Sequence, residues 1–306
     1  MEYLVRHRTC YTYAEPAVET QNLACLRLKS FPGQTISDVQ ISIKPEPDWQ
    51  WHWEDVFGNQ RDSFSLSAAH DTLTTEMLAR VVRTPEPKTV SDLTWEEAVL
   101  PDGSAWTADE ALMREYVCPS PLLTPLKKPA FDCEDCFPPQ ASVETCLDQF
   151  MDRVHQVFTY DPKATTTFTP LKDMLKKKAG VCQDFAHAAI AELRRRGFAA
   201  GYVGGYLETD PPEGREKLRG ADATHAWYAV YLPGSGWRHY DPTNNVVPGE
   251  RHLITAWGRD YGDVAPLKGV VLGGGAHEVG VQVDVWQYPD RVPEDILRSL
   301  GQTVPG

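Results

Sequence analysis

Two periodicities divide the chain. From Tyr3 to about Val82 the pattern is that of strands. In Val39-Gln40-Ile41-Ser42-Ile43-Lys44 apolar and polar residues alternate, which marks a half-buried strand. Trp49-Gln50-Trp51-His52-Trp53-Glu54 repeats the alternation with indoles on one face, and Phe64, Leu66, Leu73 and Met77 continue the apolar faces. Val56-Phe57-Gly58-Asn59-Gln60 supplies a hairpin turn, with Gly and Asn where positive φ is needed. The indole stripe is expected to be packed core, because aromatic residues dominate cores.

Beyond Thr84-Pro85-Glu86-Pro87-Lys88, a proline-punctuated linker, and the turn Pro101-Asp102-Gly103, the period changes to that of helices. One helix is expected around Ala108–Tyr116. A clearer one starts at the N-cap Ser142, with Val143, Leu147, Phe150, Val154 and Val157 on one face, and Tyr160-Asp161-Pro162 closes it. A third begins at Thr169-Pro170-Leu171 and ends at Gly180. Gly180-Val181-Cys182-Gln183-Asp184-Phe185-Ala186-His187 then leads into a helix that buries Ala186, Ala189, Ile190 and Leu193 and stops at Gly197. Strand periodicity returns at His225–Leu232, followed by the turn Pro233-Gly234-Ser235-Gly236 and the returning strand Trp237–Tyr240. Gly269–Val271 and Val279–Val285 are expected to close the same sheet.

Candidate chemistry sits where these elements meet. Cys182 occupies the first turn of its helix, where unpaired N–H groups and the positive end of the dipole favour thiolate over thiol. The hairpin places His225, at the start of one strand, near Asp241, at the end of its neighbour, since cross-strand neighbours lie about 5 Å apart. Nucleophile, base and base-orienter are therefore all present, which is the requirement for cysteine acyl transfer. Asp184 reads as a first-turn acid complementing the helix dipole.

The motifs G-V-C-Q-D-F-A-H, Gly204-Gly205-Tyr206-Leu207, T-H-A-W and Y-D-P-T-N-N resemble the bacterial transglutaminase-like family of cysteine protease candidates. The start, Tyr3-Leu4-Val5-Arg6-His7-Arg8-Thr9, is similar to that family's N-terminal β region, and Gly258–Pro266 is similar to its C-terminal pattern. The resemblance implies a papain-like core with Cys182 as nucleophile, His225 as base and Asp241 as its partner. The expected fold is α+β: an N-terminal β-sandwich-like domain (1–83), a linker and helical connection (84–139), and a papain-like, transglutaminase-like catalytic domain with C-terminal strands (140–306).

Composition narrows the function classes. A chain of 306 residues with 42% hydrophobic and 24% charged residues is an ordinary globular protein. Its net charge of −13 argues against nucleic acid as a partner. The basic runs Lys176-Lys177-Lys178 and Arg194-Arg195-Arg196 read as solvated helix ends. No apolar run reaches the roughly 18 residues of a membrane span, and the N-terminus lacks the apolar core of a signal peptide. Seven cysteines without a secretion signal point to a reducing compartment, the bacterial cytoplasm. Cys133-Glu134-Asp135-Cys136, with Cys118 and Cys146 nearby, offers one chelating pair where a structural zinc site takes two, so neither metal nor cofactor is expected.

The expected reaction is attack of the Cys182 thiolate on an amide carbonyl of a peptide or protein substrate, with His225 shuttling the proton. The Cys182 backbone N–H is one oxyanion donor, with Tyr160 or Gln183 proposed for the second and Trp227 for the cleft wall. Hydrolysis leads because no calcium loop or amine-acceptor site is recognisable. Transglutamination is the alternative, and a binding module that kept the fold is the third reading. The polar, turn-rich loop Glu208–Gly220 reads equally as a gate over the cleft and as a surface excursion.

Overall fold

The computed structural model describes residues 1–84, 90–100, 108–210, 217–220 and 222–300. Residues 85–88 of the linker, the turn Pro101-Asp102-Gly103 and residues 211–216 of the loop read as a gate lie outside the described residues. The elements run β1 (Glu2–Ala24), β2 (Gln34–Lys44), β3 (Trp49–Glu54), β4 (Gln60–Leu66) and β5 (His70–Arg83). Next come α1 (Trp95–Ala98), α2 (Ala108–Met113), α3 (Val143–Val157), β6 (Thr159–Tyr160), α4 (Leu171–Lys177), β7 (Ala179–Gly180) and α5 (Cys182–Arg195). The chain continues through β8 (Ala200–Leu207), β9 (Thr224–Leu232), β10 (Gly236–Tyr240), β11 (His252–Gly258), α6 (Tyr261–Val264), β12 (Leu267–Gly273), β13 (His277–Gln287) and α7 (Glu294–Ser299). No described helix is long and apolar enough to cross a membrane.

The first sheet is organised by β1, which is long enough to serve two sets of partners. Its first half, Tyr3–Tyr13, pairs with β5 on one edge and β13 on the other. Its second half pairs with β4 and β12. The two C-terminal strands therefore do not close the sheet that carries His225; they complete the N-terminal one. Alternation marks a strand but not its partner, and here β1 has a second edge of unpaired backbone groups that β12 and β13 satisfy. Val283 and Val285 accordingly lie in one core with Tyr3, Val5, Phe64 and Met77.

Two further expectations are corrected. Trp49 and Trp51 are 52% and 60% exposed, because β3 is an edge strand that, among the described residues, pairs with β4 alone and has an uncovered outer face. The arginines after α5 are not solvated. Arg194 is half-buried and donates to the carbonyls of Ala200, Cys118 and Arg259, while Arg195 and Arg196 bind Glu192 and Glu134. A guanidinium carries five donors, enough to satisfy several loop carbonyls at once, so this run anchors the loops behind α5. The lysines of α4 stay outside, as Lys176 does at 77% side-chain exposure.

The second sheet has the order β10-β9-β8-β11, with α5 packed on β8 and β9 and α3 beside it. Ala186, Ala188 and Ala189 let α5 approach closely, and Phe150, Phe185, Ile190 and Leu193 fill the layer. Cys133, Cys136 and Cys146 belong to this core, and burial pushes their thiols up.

β11 is an edge of this sheet, and the N-terminal half seals it. The Gln34 side-chain amide accepts from the Ile254 N–H (2.9 Å) and donates to the Ile254 carbonyl (2.7 Å). Asn59 does the same at Trp257, at 3.0 and 2.7 Å. Both amides are buried, so each stands in for a missing neighbour strand.

Close passage of β8 and β11 explains one glycine. A Cβ on Gly205 would run into the Leu253 carbonyl oxygen and meet the Trp227 ring at 2.9 Å, whereas one on Gly204 would find Val264 at an ordinary 3.4 Å. Gly205→Ala should therefore lower stability by about 1–3 kcal/mol through overpacking, and Gly204→Ala by much less. Urea denaturation of the two variants beside the parent protein measures the difference.

Candidate active site

Three local devices set the nucleophile. Val181 is extended and caps α5, so Cys182 is the first helical residue. The Asp184 carboxylate folds back to accept from the Val181 N–H at 2.9 Å and from the Thr165 hydroxyl at 2.6 Å. A Cβ on Gly180 would occupy the place of that carboxylate. The first-turn acid expected from the sequence thus also closes the cap. Burial raises its pKa and the Thr165 hydrogen bond works against that.

His225 opens β9 and Asp241 follows β10. The hairpin register sets Tyr240 opposite Tyr228, which leaves the two side chains on a diagonal at one end of the sheet. His225 Nε2–H donates to Asp241 Oδ2 at 2.7 Å, and the same imidazole hydrogen-bonds to Cys182. With Nε2 committed to the carboxylate, Nδ1 is the nitrogen left for the sulfur. The structure brings Cys182, His225 and Asp241 together in the sequence order Cys, His, Asp.

Asp241 is fully buried and heavily bonded. Besides His225, its Oδ2 accepts from Asn244 Nδ2 at 2.7 Å and from His252 Nε2–H at 3.2 Å, and its Oδ1 accepts from the Thr243 and Asn244 N–H groups. Burial alone would raise its pKa, but the hydrogen bonds from His225 and His252 win and hold it far below the carboxylate range. For His225, burial opposes the cation, yet the hydrogen bonds to Asp241 and Cys182 push its pKa up to about 9.

His252 was not foreseen from the sequence. It starts β11 and pairs opposite Leu207 of β8, so only the strand order shows that it shares an end of the sheet with His225. Its Nδ1 accepts from the Gly249 N–H at 3.4 Å, which leaves Nε2 carrying the hydrogen given to Asp241. Asn244 was visible within Y-D-P-T-N-N, but no role could be read for it there.

The remaining candidates fare differently. Trp227 is not in the cleft wall with Cys182. It is fully buried beneath His225, at 5.9 Å between ring centroids, and its indole N–H donates to His239 Nδ1. Gln183 Nε2 donates to the Thr167 carbonyl at 3.2 Å. Tyr160 stands 57% exposed, outside the pocket wall. His187 and His239 are pushed down to about 4 by burial and accept hydrogen bonds from the Tyr261 N–H and the Trp227 indole. Both are structural.

His225, Asp241 and His252 form the one group of three metal-type ligands among the described residues, their ligand atoms lying within 4.8 Å of one another. Two ligands on one tetrahedral zinc, each bonded at about 2.0–2.2 Å, sit roughly 3.3 Å apart. The 2.7 Å contact between His225 and Asp241 is that of a direct hydrogen bond, so the group reads as a proton network.

Beside the sulfur lies a pocket of about 200 Å³ between α5, β8, β9 and the turn after β11. Among the described residues no Asp, Glu, Lys or Arg lines it; beside His225, its polar groups include Gln183 and the hydroxyls of Tyr202, Tyr206, Thr224, Thr255 and Tyr261.

Comparison with known proteins bears on the family and the fold. The family pattern described as the bacterial transglutaminase-like N-terminal region matches residues 3–82, and that of the transglutaminase-like superfamily matches residues 139–242. An uncharacterized protein of Mycobacterium tuberculosis is 33% identical over 304 residues, with 92% of each chain covered. One of Mycobacterium leprae is 31% identical over 288 residues, covering 92% of this chain and 97% of its own. The crystal structure of a candidate cysteine protease from Cytophaga hutchinsonii shares the fold, with a TM-score of 0.73 over 93% of this chain and 90% of that one, at 21% identity.

The pH dependence follows from His225. Its folded pKa of about 9 lies above the unfolded value of about 6.5. The stability it contributes is complete below pH ~6.5 and is lost as pH rises through about 9. The acid that protonates a leaving amine disappears over the same range, so kcat/KM should fall on an alkaline limb near pH 9. Asp241→Asn should keep the fold and some activity and move that limb down towards about 6.5. A pH–rate profile of both proteins checks the shift.

Proposed function

This chain belongs to the transglutaminase-like superfamily and carries the family's bacterial N-terminal region, and on that footing we propose that it is a cysteine-dependent amide hydrolase acting on a peptide or isopeptide bond. The observation that carries the reading is the His225 ring bonded to the Asp241 carboxylate at 2.7 Å and hydrogen-bonded to Cys182. A binding module would need neither bond, and the buried Asp241 charge would then be a cost without return.

The reaction runs in two halves. With His225 protonated, negative charge on the Cys182 sulfur is stabilised by the imidazolium and by the first-turn N–H groups of α5. The thiolate attacks the carbonyl carbon, and the electron pair moves to the oxygen. As the C–N bond breaks, the imidazolium gives its proton to the departing amine, and a thioester on Cys182 remains. Neutral His225 then takes a proton from water, hydroxide adds to the thioester, and the carboxylic acid leaves as the thiolate re-forms. Asp241 stays ionised throughout and holds the ring.

Apart from Cys182 and His225 the described pocket wall carries no charged side chain, which supports an acyl group without a formal charge, since a buried unpaired charge would be expensive there. A thiol nucleophile and seven unpaired cysteines suit a reducing compartment, and we assign the protein to the bacterial cytoplasm on that ground.

The test is a panel of peptide and isopeptide substrates assayed with and without a primary amine. Hydrolysis should dominate, with the acid as product, and Cys182→Ala should abolish turnover. If the added amine is incorporated at the expense of the acid, the enzyme is a transglutaminase. If Cys182→Ala retains activity, the thiol mechanism fails.

A further inference from the structure

The proposed mechanism leaves one oxyanion donor unassigned, and resting on that mechanism we propose that Tyr202 supplies it: its hydroxyl, together with the Cys182 backbone N–H, receives the oxygen of the tetrahedral intermediate.

Tyr202 lies on β8 and lines the same pocket as Cys182 and His225. It is 2% exposed, yet its hydroxyl has no hydrogen-bond partner among the described residues. That oxygen is not one of the sealed-off polar atoms of the core, as the Tyr228 hydroxyl is, so it opens to the pocket and can meet a ligand there. Its neighbour in the wall shows the contrast: the Tyr206 hydroxyl is already bonded to His7 Nδ1 at 2.8 Å.

The ring is held on two sides, by His187 at 5.1 Å and by Tyr261 at 6.2 Å between centroids, which fixes where the oxygen points. After burial, Cys182 is the next influence on this phenol, as it is on that of the exposed Tyr160, whereas for Tyr261 it is Tyr11, across in the N-terminal sheet. The same two effects raise the Tyr202 phenol well above its ordinary range, so it remains an O–H donor at any pH where the enzyme works. The donors expected from the sequence are less suitable, as Gln183 is engaged by Thr167 and Tyr160 is largely in solvent.

The balance of the step is simple. The sulfur–carbon bond forms, the carbonyl π pair becomes the oxyanion, and the phenol donates a hydrogen bond without giving up its proton. An apolar ring in its place would leave that oxygen one donor short. Loss of a single oxyanion donor typically costs about 10²–10³-fold in rate.

Alkylation and acylation of the same sulfur separate this role from a structural one. Displacement of iodide from iodoacetamide builds no oxyanion, whereas acylation by p-nitrophenyl acetate does. In Tyr202→Phe, which removes one oxygen atom, Cys182 should be alkylated at the parental rate while its acylation slows by about 10²-fold. Tyr160→Phe should change neither. Equal slowing of both reactions would show that Tyr202 only shapes the site, and unchanged acylation would show that the phenol does not touch the intermediate. Either result overturns the assignment, as would loss of acylation in Tyr160→Phe instead. If the parent protein itself forms no acetyl-Cys182, seen as a mass increase lost in Cys182→Ala, the acyl-transfer reading fails first, and the Tyr202 assignment with it.

Discussion

A carboxylate with no contact with water holds the site together. Asp241 is 0% exposed and ionised, a condition that is tolerable only where hydrogen bonds replace the lost hydration. Its donors come from β9 (His225), from β11 (His252) and from the turn that follows it (Asn244 and the Thr243 backbone). Displacing any of these leaves a buried charge less compensated, so the carboxylate fixes the relative positions of segments that have no other reason to meet. His225 is raised in basicity as a by-product of that fixation, and Cys182 receives a cationic neighbour. Stability and chemistry thus share one group.

The meeting of Cys182, His225 and Asp241 in one candidate site was legible in the sequence for a definable reason. A cysteine at a helix start and a His–Asp pair across a hairpin depend on local order, and turn and cap residues such as Gly236 and Val181 set that order within a few positions. His252 was invisible because its role depends on which strand lies beside β8, a fact of topology. The same limit explains the C-terminal strands. Their alternation was clear, but a period of two does not name a partner, and β1 rather than the catalytic sheet was the strand with an edge to fill. Trp49 and Trp51 misled because alternation reports two different faces without saying that either is covered. Arg194-Arg195-Arg196 misled in the opposite sense, since a charge run at a helix end satisfies the dipole equally well when its guanidinium groups turn inward to carbonyls.

The two halves also answer each other's unsatisfied edges. Gln34 and Asn59 act as fragments of a strand laid along β11, and Tyr206 and Leu253 of the catalytic sheet reach into the N-terminal core. The family patterns at residues 3–82 and 139–242 therefore fall on parts that share backbone hydrogen bonding. The position of β11, and with it His252, depends on the side chains of a turn and a strand start in the other half.

The pairing of β1 with β13 carries a consequence for biosynthesis. β1 is made before the catalytic half and β13 after it, yet along the first half of β1 it is β13 that fills one edge, with Tyr3 opposite Gln287 and Tyr13 opposite His277. During translation that edge stays open while the whole catalytic half is made. An open edge can recruit β-strands of other chains. The nascent protein thus carries a sticky seam while the segment between β1 and β13 is made, and the vectorial order of the ribosome is the wrong order for this sheet.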